Sequence, residues 1–519
     1  MRAAVPVILL SFAALSGCMG ESPPPTELAI HGWALDCSMG NAERAIPGAS
    51  WAQDCEARAS HTMGQKQEIW VAVNPTDSNN VVIGAKDLNP DLSSHCVWNG
   101  ISTTVDGGRS WTDVLLGGKY ADRKQGSPYY GYACNTDPMG VFTADGTLHW
   151  VVELYNLEGH DGYGPLGADP SSGRGVLQPG WKLVLAISHD KGLSFPEDQA
   201  VTLEYGDGIA ALNDYSRITN NPTTGSTVTV INTYYPGFAA NAVPLPIGGV
   251  VCSVIAYRGA GEPVQPLPLQ PTLQTGTANP NGINCNAIAA DSKGTITLAG
   301  IGAAAPTGGA TTSWFATSTD DAASFTDFRP GFTFKGIPGK FAESPYRTGT
   351  NFEVAYDNSM GNHSAHPGML FAVTAEDASG RGGDDADIFV HASPDGGATW
   401  KDAVKVNQDG AKSHQFMPNI VVARDGSIHV FYMDKSYDAA HSLIDVTHAM
   451  SLDGGQTWSN ERVTTVSWDG ALGKHQEDFP FIGDYTGIGT SGNLVWGGFP
   501  DSSNGQTTVV AAIKVELHG

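Results

Sequence analysis

The segment Asp377-Ala378-Ser379-Gly380-Arg381-Gly382-Gly383-Asp384-Asp385-Ala386-Asp387 gathers four carboxylates within one short stretch. Carboxylate oxygens are the hard ligands that calcium prefers, so Asp377, Asp384, Asp385 and Asp387 could hold that ion in a loop. Their spacing does not match an EF-hand, and a solvated acidic loop is the other reading. His363, His366 and His414 form no recognisable metal set and read as surface or turn residues. No motif demands a cofactor, and calcium is the ion these carboxylates could hold.

Several catalytic signatures are missing. The chain has no His-Glu-x-x-His, no Gly-x-Ser-x-Gly, no phosphate-binding Gly-Lys-Ser/Thr loop and no dinucleotide fingerprint set between a strand and a helix. These absences argue against zincin proteases, elbow-type serine hydrolases, nucleotide hydrolases and dinucleotide oxidoreductases. Charge excludes another class. The 519 residues carry 28 Lys and Arg against 53 Asp and Glu, a net charge of −25. A polyanion would be repelled, so nucleic acid is not an expected partner.

The N-terminus bears on location. Met1-Arg2 supplies one positive charge, Ala3 to Ala14 is an apolar run too short to span a bilayer, and Leu15-Ser16-Gly17-Cys18 follows. This resembles a bacterial lipoprotein signal, which implies cleavage after residue 17, lipid on Cys18 and attachment to the outer membrane or cell surface. Residues 18–26, with Pro23-Pro24-Pro25, read as an extended tether. Six cysteines remain for an oxidising compartment: Cys37, Cys55, Cys96, Cys134, Cys252 and Cys285. Proximity favours pairing them in that order, although other connectivities stay open.

The body is organised by a repeat. Thr104-Val105-Asp106-Gly107-Gly108-Arg109-Ser110-Trp111 recurs as Ser393 to Trp400 and Ser451 to Trp458, and more loosely as Ser188 to Phe195 and Ser318 to Phe325. In each copy a short Asp can accept from the turn's own N–H groups, Gly can take positive φ, and the closing aromatic can bury itself between sheets. With 64 Gly and 31 Pro, the composition suits many short strands joined by turns.

These eight-residue segments resemble the Asp-box, or BNR-repeat, proteins of the sialidase superfamily. The resemblance implies an all-β propeller with the boxes between the third and fourth strands of its blades, on the face away from the active site. Alternating strand pairs at 69–87, 139–153, 217–233, 287–301, 352–376, 419–434 and 482–501 count the blades. The 412 residues from Val71 to Gly483, divided over six intervals, give a period of about 69. Seven four-stranded blades are therefore expected, with six as the alternative, in one domain covering 27–519. The third unit keeps strand-like Val254 to Tyr257 but lacks a box. The seventh must borrow its fourth strand from within 27–66 to close the ring.

With the boxes below, residues before first strands and after second strands lie above. That selects Asp87, Asp137, Glu153, Asp214, Arg217, Tyr234, Arg347, Glu376, Asp434, Glu477, Asp484, Tyr485 and Asp501. The resemblance assigns roles within this set. Sialidases use a Tyr activated by Glu as nucleophile, Asp as acid/base, and three Arg on the sugar carboxylate. Transferred residue by residue, this implies Tyr485 with Glu477, Asp137 or Asp434 as the acid, and Arg217 and Arg347 for substrate binding. One departure is clear: residues 62–103, where the family's first Arg motif would fall, contain no Arg. Three functions remain open: a glycoside hydrolase acting on extracellular glycans, a non-catalytic propeller binding glycan or protein, or an assembly or scaffold protein of the cell envelope. The expected partner is a glycan or glycoprotein, the membrane is met only through lipid, and the chain is a monomer.

Overall fold

The computed structural model describes residues 28–32, 43–45, 51–54, 57–60, 65–88, 97–116, 126–132, 134–155, 181–205, 212–234, 250–259, 265–268, 283–302, 310–349, 352–359, 363, 367–379, 386–409, 413–473, 480–492, 494–505 and 508–517. Its strands form seven antiparallel sheets, the blades of a propeller. Blade 1 comprises Gln65–Val73, Val81–Leu88, Trp98–Thr104 and Ser110–Leu116; blade 2 comprises Cys134–Phe142, Leu148–Tyr155, Lys182–Ser188 and Val201–Tyr205. Blade 3 comprises Leu212–Asn220, Thr227–Tyr234, Val250–Tyr257 and Gln265–Pro268; blade 4 comprises Ile283–Ala290, Ile296–Gly302, Ala310–Ser318 and Arg329–Lys335. Blade 5 comprises Phe352–Tyr356, Leu370–Glu376, Asp387–Ser393 and Val404–Lys405; blade 6 comprises Gln415–Val422, Ile428–Asp434, Asp445–Ser451 and Ser459–Arg462.

Blade 7 contributes Gly487–Ser491, Leu494–Asp501 and Val509–Leu517, and its fourth place is taken by N-terminal chain. Trp51 lies opposite Leu517, Gln53 opposite Val515, and Arg58 opposite Ala511. The ring is thus closed between chain ends, as the period requires, and the edge of the last blade is covered. A second N-terminal strand, Leu28–Gly32, pairs with the outer strand of blade 1, which the repeat did not foretell. Helix among the described residues is confined to two short 3-10 turns, and no described helix is long and apolar enough to cross a membrane.

Second strands are covered on both faces by neighbouring blades, so they read as buried runs rather than alternating ones. All eight residues of Leu148–Tyr155 are buried. The polar members must then find partners: the His149 ring nitrogen Nδ1 lies 2.6 Å from the Thr227 hydroxyl, and Glu153 accepts from the Ser216 amide at 3.0 Å. Between blades 1 and 2, Trp150 lies so close to the backbone that a Cβ on Gly84 or Gly140 would fall 2.1 or 2.0 Å from its ring. Glycine is needed there for space.

The five eight-residue segments adopt one turn between third and fourth strands. In blade 1 the Asp106 carboxylate accepts from the Ser110 amide at 2.9 Å and its hydroxyl at 2.6 Å, while Thr104 Oγ1 accepts from the Gly108 amide at 2.9 Å. Asp190, Asp320, Asp395 and Asp453 make the same pair of bonds four residues ahead. The sequence between the third and fourth strands of blade 3 has no copy of this segment, and Cys252 and Cys285 form a disulfide from that third strand to the inner strand of blade 4. Cys134 is disulfide-bonded as well; Cys37, Cys55 and Cys96 lie outside the described residues.

Candidate functional site

First strands line the central channel, and five of them are distorted at a similar height. Pairing slips between Gln67 and Trp70, Asp214 and Arg217, Cys285 and Ala287, Phe416 and Asn419, and opposite Val151 and Glu153. At four of these slips a non-glycine residue is left-handed: Glu68 at φ 52°, Asp137 at 49°, Tyr215 at 60° and Met417 at 51°. Bulges re-aim side chains, and such conformations cost about 1–3 kcal/mol each, so four in register mark a constrained ring.

Three of these positions join one buried polar cluster. From the second strand of blade 1, Lys86 Nζ meets Glu68 Oε2 at 2.5 Å and Asp137 Oδ1 at 3.2 Å. Asp137 Oδ2 accepts from the Tyr215 amide at 2.9 Å, joining blade 2 to blade 3. Arg217 of blade 3 donates through Nε to Glu353 of blade 5 at 2.9 Å, with Nη2 at 2.8 Å from the same oxygen. That bond joins the inner strands of two blades that are not neighbours, bypassing blade 4. The guanidinium also lies 3.9 Å from the Tyr215 ring centroid and 4.7 Å from that of Tyr485, which precedes the inner strand of blade 7. The two tyrosine rings meet edge-on at 5.7 Å.

Burial dominates the electrostatics. Glu68 is pushed well above the usual carboxylate range by burial, with Lys86 opposing and Asp137 and Asp484 adding to the rise. For Asp137 burial acts in the same direction, yet Lys86, the Thr136 hydroxyl and the Tyr215 amide outweigh it and hold the carboxyl low. One carboxyl is biased toward its acid and the other toward its anion. Glu353 is raised by burial, partly offset by Arg217. Burial raises Tyr485 far above an ordinary phenol, and Asp137 and Glu68 add to the effect. Its hydroxyl has no hydrogen-bond partner among the described residues.

Of the residues selected from sequence, Asp137, Arg217 and Tyr485 come together here. Arg347 does not enter the cluster; it is exposed at the mouth, where its Nε donates to Asp484 at 2.9 Å and its guanidinium covers the Phe481 ring at 4.7 Å. Asp434 sits elsewhere, accepting from Gln415 Nε2 at 3.1 Å and the Thr447 hydroxyl at 2.8 Å within blade 6. Glu477, Asp384, Asp385 and Cys18 lie outside the described residues. Asp377 and Asp387 are salt-bridged to Lys335 and Lys405 respectively, and no group of His, Cys, Asp or Glu among the described residues is arranged to hold a metal. Glu68, Lys86, Tyr215 and Glu353 were not singled out from sequence. Superimposing the seven repeats would have put Glu68, Asp137 and Tyr215 at one height.

No family model matches the chain, and no curated protein matches it. Similar solved structures include a Hadza microbial sialidase, 14% identical over 84% of this chain and 76% of that one, with a TM-score of 0.45. A protein of unknown function from Dyadobacter fermentans is 12% identical over 91% of this chain and 100% of that one, with a TM-score of 0.46. The α-L-arabinofuranosidase Arb93A from Fusarium graminearum is 15% identical over 73% of this chain and 92% of that one, with a TM-score of 0.39. All these TM-scores lie below one half, and the fold is assigned from the sheet topology itself.

Proposed function

We propose that this chain is an exported, lipid-anchored propeller of the cell envelope that binds extracellular glycan at the upper mouth of its channel. The carrying observation is that the cations of the axial cluster are already neutralised from within: Arg217 by Glu353, and Lys86 by Glu68 and Asp137. Arg217, Tyr485, Asp137 and Glu68 are all at most 3% exposed. Buried, self-compensated charges are suited to bracing a ring, whereas ligand contact falls to the mouth, where Arg347 and Asp484 are accessible. The glycan assignment is supported by the resemblance of the five turn segments to Asp boxes, and the envelope location by the sequence around Cys18.

A second reading keeps the hydrolase. It is favoured by the meeting of Tyr485, Arg217 and Asp137, the residue types of a sialidase-like nucleophile, clamp and acid, with the Tyr485 hydroxyl unengaged. One experiment separates the two. Mature protein is applied to a glycan array and incubated with a panel of glycosides, alongside Tyr485→Phe. Binding without turnover supports the propeller as a receptor. Turnover abolished by Tyr485→Phe would replace it with the enzyme.

A further inference from the structure

Three cations border the described part of the channel, and each has a carboxylate of the protein against it. Arg217 holds Glu353, Lys86 holds Glu68 and Asp137, and at the mouth Arg347 holds Asp484. Four acids thus face three bases, in a chain whose net charge is −25. An incoming carboxylate would have to displace Glu353 from Arg217 and leave it buried without a counter-charge, or displace Asp484 from Arg347 beside Glu68. By contrast, Tyr485 is 1% exposed and lies in this cluster, and its hydroxyl has no hydrogen-bond partner among the described residues. A buried phenol of this kind gains from a neutral donor or acceptor at no cost in charge.

We propose that the channel mouth recognises an uncharged sugar rather than an acidic one, its hydroxyl groups completing the hydrogen bonding of Tyr485 once the Arg347–Asp484 pair parts. That pair is the point of entry. Its side chains are 43% and 29% exposed, and exposed ion pairs hold weakly in water. Asp484 also acts as the selectivity element, since it occupies Arg347, the exposed one of these three cations, and repels a second anion. This inference rests on the glycan-binding reading and specifies its ligand class.

Isothermal titration with full-length mature protein decides it. The probes are neutral hexose and N-acetylhexosamine oligosaccharides and the same backbones capped with sialic acid. Neutral oligosaccharides are expected to bind at least tenfold more tightly than their capped counterparts. Tyr485→Phe should weaken neutral binding about tenfold. Asp484→Asn, an exposed change unlike those in the core, should narrow the gap between neutral and capped sugars by removing the carboxylate that repels a second anion. Equal or tighter binding of the capped sugars, or neutral binding untouched by Tyr485→Phe, overturns the proposed ligand class while leaving glycan binding standing. Binding of neither series overturns both readings.

Discussion

Replacing Arg217 by Met tests whether the axial cluster braces the ring. The guanidinium lies 2.8 Å from Glu353. At an effective dielectric of about 20 that separation corresponds to about 6 kcal/mol of attraction, and breaking one side of a buried pair costs about 3–5 kcal/mol in practice. Stacking against Tyr215 and Tyr485 adds about 0.5–2 kcal/mol per contact. The loss should depend on pH. Burial raises Glu353 and Arg217 opposes that rise, so removing Arg217 moves the carboxyl further up. A carboxyl whose folded pKa exceeds its unfolded value of about 4.3 binds more protons when folded, and its stabilising contribution is lost as pH rises through the folded value. Urea unfolding followed by tryptophan fluorescence should therefore show a deficit of about 3–5 kcal/mol at pH 7.5 and about 1–2 kcal/mol at pH 5, where Glu353 is better able to hold its proton. The double variant Arg217→Met/Glu353→Leu should recover most of the loss at pH 7.5. A deficit equal at both pH values, or under about 1 kcal/mol at pH 7.5, would falsify the claim that this pair carries an uncompensated charge when broken.

Other perturbations probe other parts of the ring. Asp453→Ala removes the acceptor of bonds from the Thr457 amide and hydroxyl and the Ser451 hydroxyl; a loss of about 1–3 kcal/mol with unaltered glycan binding is expected, and altered binding would place function on the lower face. Cys252→Ser/Cys285→Ser opens a loop with a sequence separation of 33; a loss of roughly 3–4 kcal/mol follows from chain entropy, and an unchanged urea midpoint would show that blade 3 does not depend on the bridge. Burial depresses His429 to about 3, and His448, 2.9 Å away, is lowered for the same reason and by His429 itself. A histidine with a lowered folded pKa stabilises the fold above its unfolded value of about 6.5 and loses that contribution as pH falls toward the folded one. His429→Leu should flatten the decline in stability between pH 6.5 and 4, and an unaltered slope would assign the acid sensitivity to other groups.

The architecture was legible because a propeller writes itself repeatedly. Asp-Gly-Gly turns and paired strands recur, so an error in one unit is corrected by the other six, and the unpaired seventh unit points to N-terminal closure. The site was legible only in part. Tyr485, Arg217 and Asp137 could be placed at the axis from their positions in the repeat. Their partners could not be chosen, because Glu353 is two blades from Arg217 and pairing between blades that are not neighbours has no sequence spacing of its own. Lys86 was hidden for another reason: it lies in a buried second strand, where a lysine is intelligible only once Glu68 and Asp137 are seen to converge on it. Arg347 carried the right residue type for an anion clamp, yet its own carboxylate partner, Asp484, was among the residues selected beside it.

Blade 3 shows how an irregular repeat can be held by its neighbour. With no box segment in its sequence, it leaves Asn221, Thr224, Ser226 and Arg258 near the lower face. Asp321, from the box of blade 4, accepts from all four, at 2.8, 2.8, 2.6 and 3.2 Å. The three strict segments carry Gly107, Gly396 and Gly454 at that position, and the reason for glycine is visible here as a penalty: Asp321 and Ala322 are both left-handed at φ 59°. Strain of about 1–3 kcal/mol per residue is outweighed only if the four bonds are made together. The loosest box in the chain is therefore loose for a reason. Its fourth residue, Asp321, is no longer optimised for its own turn, because its carboxylate braces blade 3, whose sequence lacks such a segment.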